Sequence, residues 1–280
     1  MIIAILVIGN LGETGEISIK SLMELEPERV CVVSNNSGKD WLNSLNLLNN
    51  ELLCFHRIKE NCVDINNVIL SLEHYSSYRT LNFDLLTSLK WHLILEVITE
   101  HADTHRVLYA DLDIYWRARP SEEIIYDLSD NIWVQYTPSN LRKNWFCTGI
   151  MSWSNSANTK VALNKLIYNQ NYSFNSGNPA NDEVTFNQSY DTLPIEIKKM
   201  PTKEYLIGKE FNKIFIAHFI YFPNLVCFHA NYIIGNDLKA KILRIVKIRL
   251  SSKITWIRYV PFVIAFNFKD LFSRIVRRLK

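Results

Sequence analysis

Short apolar runs alternate with amphipathic segments through the first half of the chain, and this alternation limits the fold more than any other feature. Ile2–Ile8 is a continuous branched apolar run, and a helical pattern with apolar residues at 17, 22 and 25 follows it. Arg29–Val33 is a second strand pattern. A strand, helix, strand order predicts parallel strands joined by right-handed crossovers.

The clearest helix covers residues 82–101, where apolar side chains recur at the 3.6-residue spacing of one helix face. It leads into Val107–Ala110, a short apolar segment bounded by charges, as expected of a central strand. Further elements are predicted at Ile132–Tyr136, Gly149–Trp153 and Leu225–His229 (strands) and at Asn158–Asn169 (helix). The pattern predicts an α/β fold with a mostly parallel sheet flanked by helices in residues 1–237, followed by a basic amphipathic segment, 238–280.

The five cysteines are scattered and show no Cys-x-x-Cys spacing. They predict neither a disulfide framework nor a zinc site, and they favour a reducing compartment. Two short motifs are also absent: the Gly9–Gly12 segment lacks the glycine spacing of a dinucleotide fingerprint, and there is no Walker-type phosphate loop. ATP-driven chemistry is therefore not favoured.

Asp111 and Asp113 directly follow the predicted strand Val107–Ala110. Ligands of open α/β sheets collect at the carboxyl ends of the strands, and two carboxylates there can bind one hard divalent cation. An isolated Asp-x-Asp is a weak signal, since it is also found at helix N-caps and in solvated turns.

The segment Arg106–Pro120, RVLYADLDIYWRARP, resembles the nucleotide-diphospho-sugar transferase family, in which a strand leads into an Asp-x-Asp. Three later segments are similar to family elements in the same order: Phe146–Met151, Asn181–Asn187 and His229–Gly235. The resemblance is nearest to glycosyltransferase family 77. It implies a GT-A fold and metal-dependent transfer of a sugar from a nucleoside-diphosphate sugar, with a UDP-sugar favoured, to a glycan or lipid-linked glycan hydroxyl, with retention.

The resemblance also implies site residues. Asp111, Asp113 and His229 are the expected ligands of Mn²⁺ or Mg²⁺, with Asp113 as the direct carboxylate ligand and Asp111, with Leu112, also reaching the donor. The alternative for His229 is an ordinary core or turn histidine.

The family elements further imply that Thr148 and Gly149 border the donor sugar, with Cys147 in place of the usual Asn. Gly235 would permit close approach of the diphosphate, and Lys239 would offset its charge.

Asp182 and Glu183 are the candidate catalytic carboxylates. Inverting transfer needs a base for the acceptor hydroxyl, whereas retaining transfer can leave that proton with the departing phosphate. Asp182 is equally suited to accept hydrogen bonds from sugar hydroxyls. The structural alternative is that Asn181 and Asp182 cap the next helix.

Groups at the ends of the first two strands are the candidates for holding the base and ribose. These residues are Ile8, Gly9, Asn10, Ser34 and Asn35. Thr87 and Lys90 on the long helix are added by family analogy, although Lys90 is as compatible with a solvated helix surface.

Charge is divided unevenly: residues 239–280 contain 12 basic and one acidic side chains, against 19 basic and 27 acidic in residues 1–238. Aromatic residues accompany the basic ones after residue 255, which favours contact with an anionic membrane over a nucleic acid, and hence a place on the cytoplasmic face of a membrane. The alternative is a C-terminal helix packed on the main domain with its basic face in water. Two rival functions remain open: a sugar-phosphate nucleotidyltransferase and an inactive membrane-docked binding protein.

Overall fold

The computed structural model describes residues 1–56, 81–137, 145–208, 225–231 and 236–251. The strands are β1 Ile2–Val7, β2 Arg29–Ser34, β3 Leu53–Phe55, β4 Arg106–Ala110, β5 Ile114–Trp116, β6 Asn131–Thr137, β7 Trp145–Ser154, β8 Glu196–Lys199, β9 Tyr205–Ile207 and β10 Cys227–His229. The α-helices are α1 Gly12–Met23, α2 Asn36–Ser44, α3 Leu81–Glu100, α4 Glu122–Tyr126, α5 Ala157–Asn175, α6 Asp182–Ser189 and α7 Asn236–Ser251. A 3-10 helix covers Tyr190–Thr192.

Seven strands form the central sheet in the order β3-β2-β1-β4-β7-β6-β8. Strands β3, β2, β1 and β4 run parallel to one another, as the alternation of strand and helix patterns predicts. Strand β7 runs antiparallel to both of its neighbours, and β8 is again parallel to β6. The α/β fold with a mostly parallel central sheet is therefore confirmed, and β4 lies in its middle.

The predicted elements match the observed ones, with the largest differences at two boundaries. The predicted strand at residues 149–153 begins earlier, at Trp145, because Phe146 and Cys147 are also buried and pair with β6. Helix α5 continues to Asn175, beyond the predicted end.

Both faces of the sheet are covered. Helix α3 lies on one face, where the ring of Trp91 packs 6.1 Å from that of Trp153 and 6.2 Å from that of Phe186, measured between centroids. On the other face, Ile19 and Leu22 of α1 are fully buried. Burying side chains of this size stabilises the fold by about 1.5–3 kcal/mol each, which fixes the strand ends that form the site.

A second, three-stranded sheet has the order β5-β10-β9. Strand β5 begins directly after Asp113, and β10 pairs antiparallel with it so that His229 lies opposite Ile114. The backbone N–H of Ala230 donates to the carbonyl of Asp113 at 2.9 Å. This small sheet therefore brings a late part of the chain to the end of β4.

Helix α7 confirms the predicted helix at the start of the basic segment, and it packs against α1 and β5. Ile242, Leu243, Ile245 and Val246 are fully buried, while Lys241 and Arg244 are exposed. Over these residues the apolar face is occupied by protein, as in the alternative of a packed C-terminal helix. Residues 252–280, which carry the aromatic part of the membrane interpretation, lie outside the described residues. Among the described helices, none has the length and apolar character needed to cross a bilayer.

Candidate active site at the end of strand β4

The site is built on the turn between β4 and β5, which carries both aspartates. The backbone N–H of Asp111 donates to the carbonyl of Gly149 on the neighbouring strand β7 at 2.8 Å. The hydroxyl of Tyr109 donates to Oδ1 of Asp111, also at 2.8 Å. Backbone and side chain of Asp111 are thus fixed by two adjacent strands, with Oδ2 on the side of His229.

His229 reaches the aspartates from the end of β10. Its Nε2 lies 2.9 Å from Oδ1 of Asp113 and 3.9 Å from Oδ2 of Asp111. One potential ligand atom from each of the three residues falls within 4.8 Å of the other two. The structure therefore brings together the three residues that the resemblance implies as metal ligands, although they are far apart in sequence.

Gln135 determines which nitrogen of His229 faces the aspartates. Its amide Nε2 lies 3.3 Å from the carbonyl of Tyr205 and 3.4 Å from that of Leu206, so its oxygen points the other way, 2.8 Å from Nδ1 of His229. An oxygen acceptor there requires the proton on Nδ1. Nε2 then carries a lone pair, the form in which a histidine binds a metal.

The geometry fits a hard divalent cation. In the tautomer that Gln135 selects, Nε2 of His229 and Oδ1 of Asp113 are two acceptors facing each other, and Oδ1 is buried without a hydrogen-bond donor among the described residues. Adjacent ligands of an octahedral ion at 2.0–2.1 Å are about 2.8–3.0 Å apart, which agrees with the 2.9 Å between Nε2 of His229 and Oδ1 of Asp113. The residues present are therefore suited to Mg²⁺ or Mn²⁺.

Gly149 keeps this space open. A Cβ added there would lie 2.0 Å from Cε1 of His229 and 2.7 Å from Oδ2 of Asp111. Any side chain at this position would push the two candidate ligands apart, so glycine is needed here for its lack of a side chain.

Charges around the site are closely balanced. Nζ of Lys239 lies 2.5 Å from Oδ2 of Asp113. Burial alone would raise the pKa of Asp113, but the adjacent ammonium group of Lys239 holds that pKa well below its ordinary value. Burial raises the pKa of Asp111, and the positive charge of Lys90 offsets only part of that effect.

Lys90 is buried beneath the site. Its Nζ lies 2.5 Å from Oδ2 of Asp182 and 3.7 Å from Oδ1 of Asp111, and it donates to the carbonyl of Thr148 at 3.1 Å. Burial opposes the charge, yet Asp111 and Asp182 raise the pKa of Lys90 above its ordinary value. The alternative of a solvated lysine on the helix surface is therefore wrong.

The two candidate catalytic carboxylates have different surroundings. Asp182 is buried, and its Oδ2 accepts hydrogen bonds from Lys90 and from the hydroxyl of Thr148. Asn181 caps helix α6, since its side chain accepts from the N–H of Val184, as the alternative interpretation anticipates. Glu183 is half-buried and accepts a hydrogen bond from the indole of Trp145 at 2.5 Å.

Side chains proposed for the nucleotide are largely bonded to the backbone. Oδ1 of Asn35 accepts from the N–H groups of Gly9 and Gly38, and the hydroxyl of Ser34 donates to the carbonyl of Val7. These bonds join the end of β1 to the start of α2, so both side chains shape this loop. Their contact with base and ribose stays a prediction.

The other candidates are distributed around this loop and the nearby helix. Asn10 is exposed and accepts from the N–H of Gly12, whereas Ile8 is buried in the core. Leu112 is partly buried against the α1 side of the core. The hydroxyl of Thr87 lies 3.5 Å from the N–H of Asp182. Gly235 lies outside the described residues.

Three comparisons bear on identity. A model of the nucleotide-diphospho-sugar transferase family matches residues 54–244, more than half of the chain. The chain belongs to the nucleotide-diphospho-sugar transferase family. It is a glycosyltransferase, as the resemblance of its motifs implies. The search of curated proteins finds no match to the sequence.

Solved structures similar to this nucleotide-diphospho-sugar transferase agree with the GT-A fold. A glycosyltransferase involved in glycosylation of the major capsid of PBCV-1 is 10% identical, with a TM-score of 0.54 over 87% of this chain and 98% of that one. Mouse xyloside xylosyltransferase 1 is 13% identical, with a TM-score of 0.51 over 82% and 97%. GlyE from Streptococcus pneumoniae TIGR4 is 11% identical, with a TM-score of 0.52 over 89% of this chain and 62% of that one.

Two residues of the site were missed by the motifs. Gln135 is a buried polar residue within an otherwise apolar strand pattern, and that contrast is a usable signal. Tyr109 precedes Asp111 by two residues and therefore lies on the same face of the strand. In the sequence pattern, Tyr109 counts as one of the apolar residues of the strand, and so the hydrogen bond from its hydroxyl to Asp111 is not predicted.

Proposed function

We propose that this glycosyltransferase transfers a sugar from a UDP-sugar to a hydroxyl of a glycan or lipid-linked glycan acceptor, with a divalent cation held by Asp111, Asp113 and His229. The observation that carries the proposal is the arrangement of the lone pair of His229 facing two carboxylates, with Gln135 fixing the tautomer. When bound, Mg²⁺ or Mn²⁺ would supply positive charge to the departing diphosphate.

The lysines of the site are proposed to handle the remaining charge. Lys90 is buried and locked between Asp111 and Asp182, so its task is to hold the carboxylates in place. Nζ of Lys239 contacts the outer oxygen of Asp113, and the side chain is one-fifth exposed. Its flexible stem lets it turn toward a phosphate, as the family element implies.

Retention is the stereochemical course that the surroundings of Asp182 favour. Lys90 and Thr148 both donate to the same carboxylate oxygen, so this oxygen is already occupied by two donors of the protein. The anomeric C–O bond to the diphosphate breaks, a new C–O bond forms to the acceptor, and the acceptor's proton leaves on a phosphate oxygen of the diphosphate. This route needs no protein base and agrees with the resemblance to family 77.

The test is turnover of UDP- and GDP-sugars in the presence of Mn²⁺, followed as release of UDP or GDP with and without glycan acceptors. We expect metal-dependent release, and a loss of at least ~100-fold in Asp113→Asn, because charge on the leaving group is then poorly stabilised. Asp191→Asn, at an exposed position on the 3-10 helix, is the matched control and should keep full activity. Normal turnover by Asp113→Asn would contradict the proposed metal site.

Membrane association through the basic C-terminal segment is also proposed, with location on the cytoplasmic face. Its support is the excess of basic residues in 239–280 together with the aromatic residues after 255. The full-length protein should cosediment with vesicles containing phosphatidylserine and not with neutral vesicles. Replacing Arg277 and Arg278 by Gln should weaken this binding; binding that does not respond to lipid charge would contradict the electrostatic explanation.

A further inference from the structure

A second cluster of metal-ligating side chains lies away from the proposed active site. Cys31 comes from the middle of β2, His56 directly follows β3, and His101 directly follows α3. One potential ligand atom from each falls within 4.8 Å of the other two. The three residues lie 25 and 45 positions apart in sequence, and only the parallel pairing of β2 with β3 and the end of α3 bring them together.

His56 is already arranged as a metal ligand. Its Nδ1 lies 3.0 Å from Oε2 of Glu100, so the carboxylate accepts the Nδ1 proton. Its Nε2 has no hydrogen-bond partner among the described residues. The side chain is only 2% exposed, so solvent is not an obvious partner for this nitrogen either. A carboxylate behind one nitrogen and a lone pair on the other is the usual environment of a zinc-binding histidine.

The separation of the other two ligands fits the same ion. Sγ of Cys31 lies 3.7 Å from Nε2 of His101. Tetrahedral Zn²⁺ with a Zn–S bond of 2.3 Å and a Zn–N bond of 2.0–2.1 Å places sulfur and nitrogen about 3.6 Å apart. Arg29 is exposed and lies 3.3 Å from Nδ1 of His101, so it needs only to swing into solvent for that nitrogen to take the proton.

We propose that Cys31, His56 and His101 bind one Zn²⁺ ion that joins β2, β3 and the end of α3. The mixed sulfur and imidazole donors select a borderline-soft transition metal, in contrast to the oxygen-rich site at Asp111 and Asp113. The fourth position of the tetrahedron is left to water.

This site is separate from the catalytic one. Lys90 lies in the middle of α3, and His101 lies 11 residues later, directly after the end of that helix. At a rise of 1.5 Å per residue, the two residues are about 16 Å apart along the helix axis. The zinc ion has a structural role there, and its binding does not depend on the proposed transfer reaction. Burial raises the pKa of the Cys31 thiol to about 12, so binding of the ion displaces a proton from that thiol.

The experiment uses full-length protein freed of metal with a chelator and then titrated with Co²⁺, a spectroscopic substitute for Zn²⁺. With excess Mg²⁺ present to occupy the site at Asp111 and Asp113, we expect a near-ultraviolet thiolate-to-cobalt charge-transfer band and strong visible bands of a tetrahedral ion, saturating at one equivalent and abolished by competing Zn²⁺. Thermal unfolding should shift upward with Zn²⁺, because the ion binds the folded state.

Matched variants locate the ion. Cys31→Ser should lose the charge-transfer band, whereas Cys147→Ser, at the cysteine beside His229, should keep it. Glu100→Gln should weaken Co²⁺ binding about 10–100-fold through loss of the carboxylate behind His56. If Cys31→Ser fails to fold, Glu100→Gln and His101→Gln still test the site, because both should weaken Co²⁺ binding there.

The absence of a thiolate band in the wild-type protein would overturn the proposal. So would a band that survives Cys31→Ser or His101→Gln, or one that disappears only in Cys147→Ser. None of these results depends on glycosyl transfer, so the zinc proposal and the proposed function fail separately.

Discussion

Gly149→Ala should impair the site without unfolding the protein. The added methyl group would lie 2.0 Å from Cε1 of His229, and ordinary contact begins at 3.4 Å, so the ring or the strand must move by about 1.4 Å. A misplacement of about 1 Å in a catalytic group costs on the order of 100-fold in rate. We therefore expect kcat/KM for the UDP-sugar reaction to fall by ~100-fold, equivalent to about 2.7 kcal/mol of lost transition-state stabilisation.

The assay is steady-state release of UDP as a function of Mn²⁺ concentration, with circular dichroism to establish folding. Gly177→Ala is the control, because φ is 75° there and nothing lies within 4 Å of the added Cβ. That variant should lose about 1–2 kcal/mol of stability through its left-handed backbone and keep its activity. If Gly149→Ala is folded and its kcat/KM stays within about threefold of wild type, the crowding argument is refuted.

Two further variants test the supports of the site. Gln135→Leu removes the acceptor at Nδ1 of His229, so Mn²⁺ affinity, measured by calorimetry, should fall about 10–100-fold while the fold is retained; unchanged affinity would contradict the tautomer assignment. Lys90→Met leaves Asp182 buried without its cation and should lower the free energy of unfolding by about 3–5 kcal/mol in urea denaturation. The double variant Lys90→Met/Asp182→Leu should recover part of that loss, and a double variant less stable than Lys90→Met would argue against the ion pair as the cause.

The sequence predicts the parallel strands β1, β2 and β4 well, because in these strands the local apolar pattern follows directly from burial in the centre of the sheet. Ile2–Val7 and Arg106–Ala110 are buried on both faces, so they read as continuous apolar runs. The reversed direction of β7 is not visible in the same way, since a buried strand has the same apolar pattern whether it pairs parallel or antiparallel.

The residues of the candidate sites are likewise predictable from the sequence only in part. Asp111 and Asp113 are predictable because a strand end and a paired carboxylate occur together in a short stretch. The side-chain partners of Ser34 and Asn35 are not, because a polar residue after a strand serves equally to bond a ligand or to cap the next helix. Cys31 has no spacing motif with any histidine, so only tertiary structure reveals its neighbours.

Metal and nucleotide binding should be coupled through the charge of the site. Asp111, Asp113 and Asp182 contribute three negative charges, and Lys90 and Lys239 contribute two positive ones, with the histidine neutral in the tautomer required for binding. The site is thus net negative and opposes a diphosphate; a divalent ion reverses the sign and attracts it.

UDP should therefore bind at least ~10-fold more weakly in EDTA than in Mn²⁺, a difference of about 1.4 kcal/mol or more. Calorimetric titration of UDP under both conditions measures this, with uridine, which lacks the diphosphate, as the control ligand that should respond little to the metal. Equal UDP affinity with and without Mn²⁺ would mean that the cluster of acids does not meet the diphosphate, even if a cation binds there.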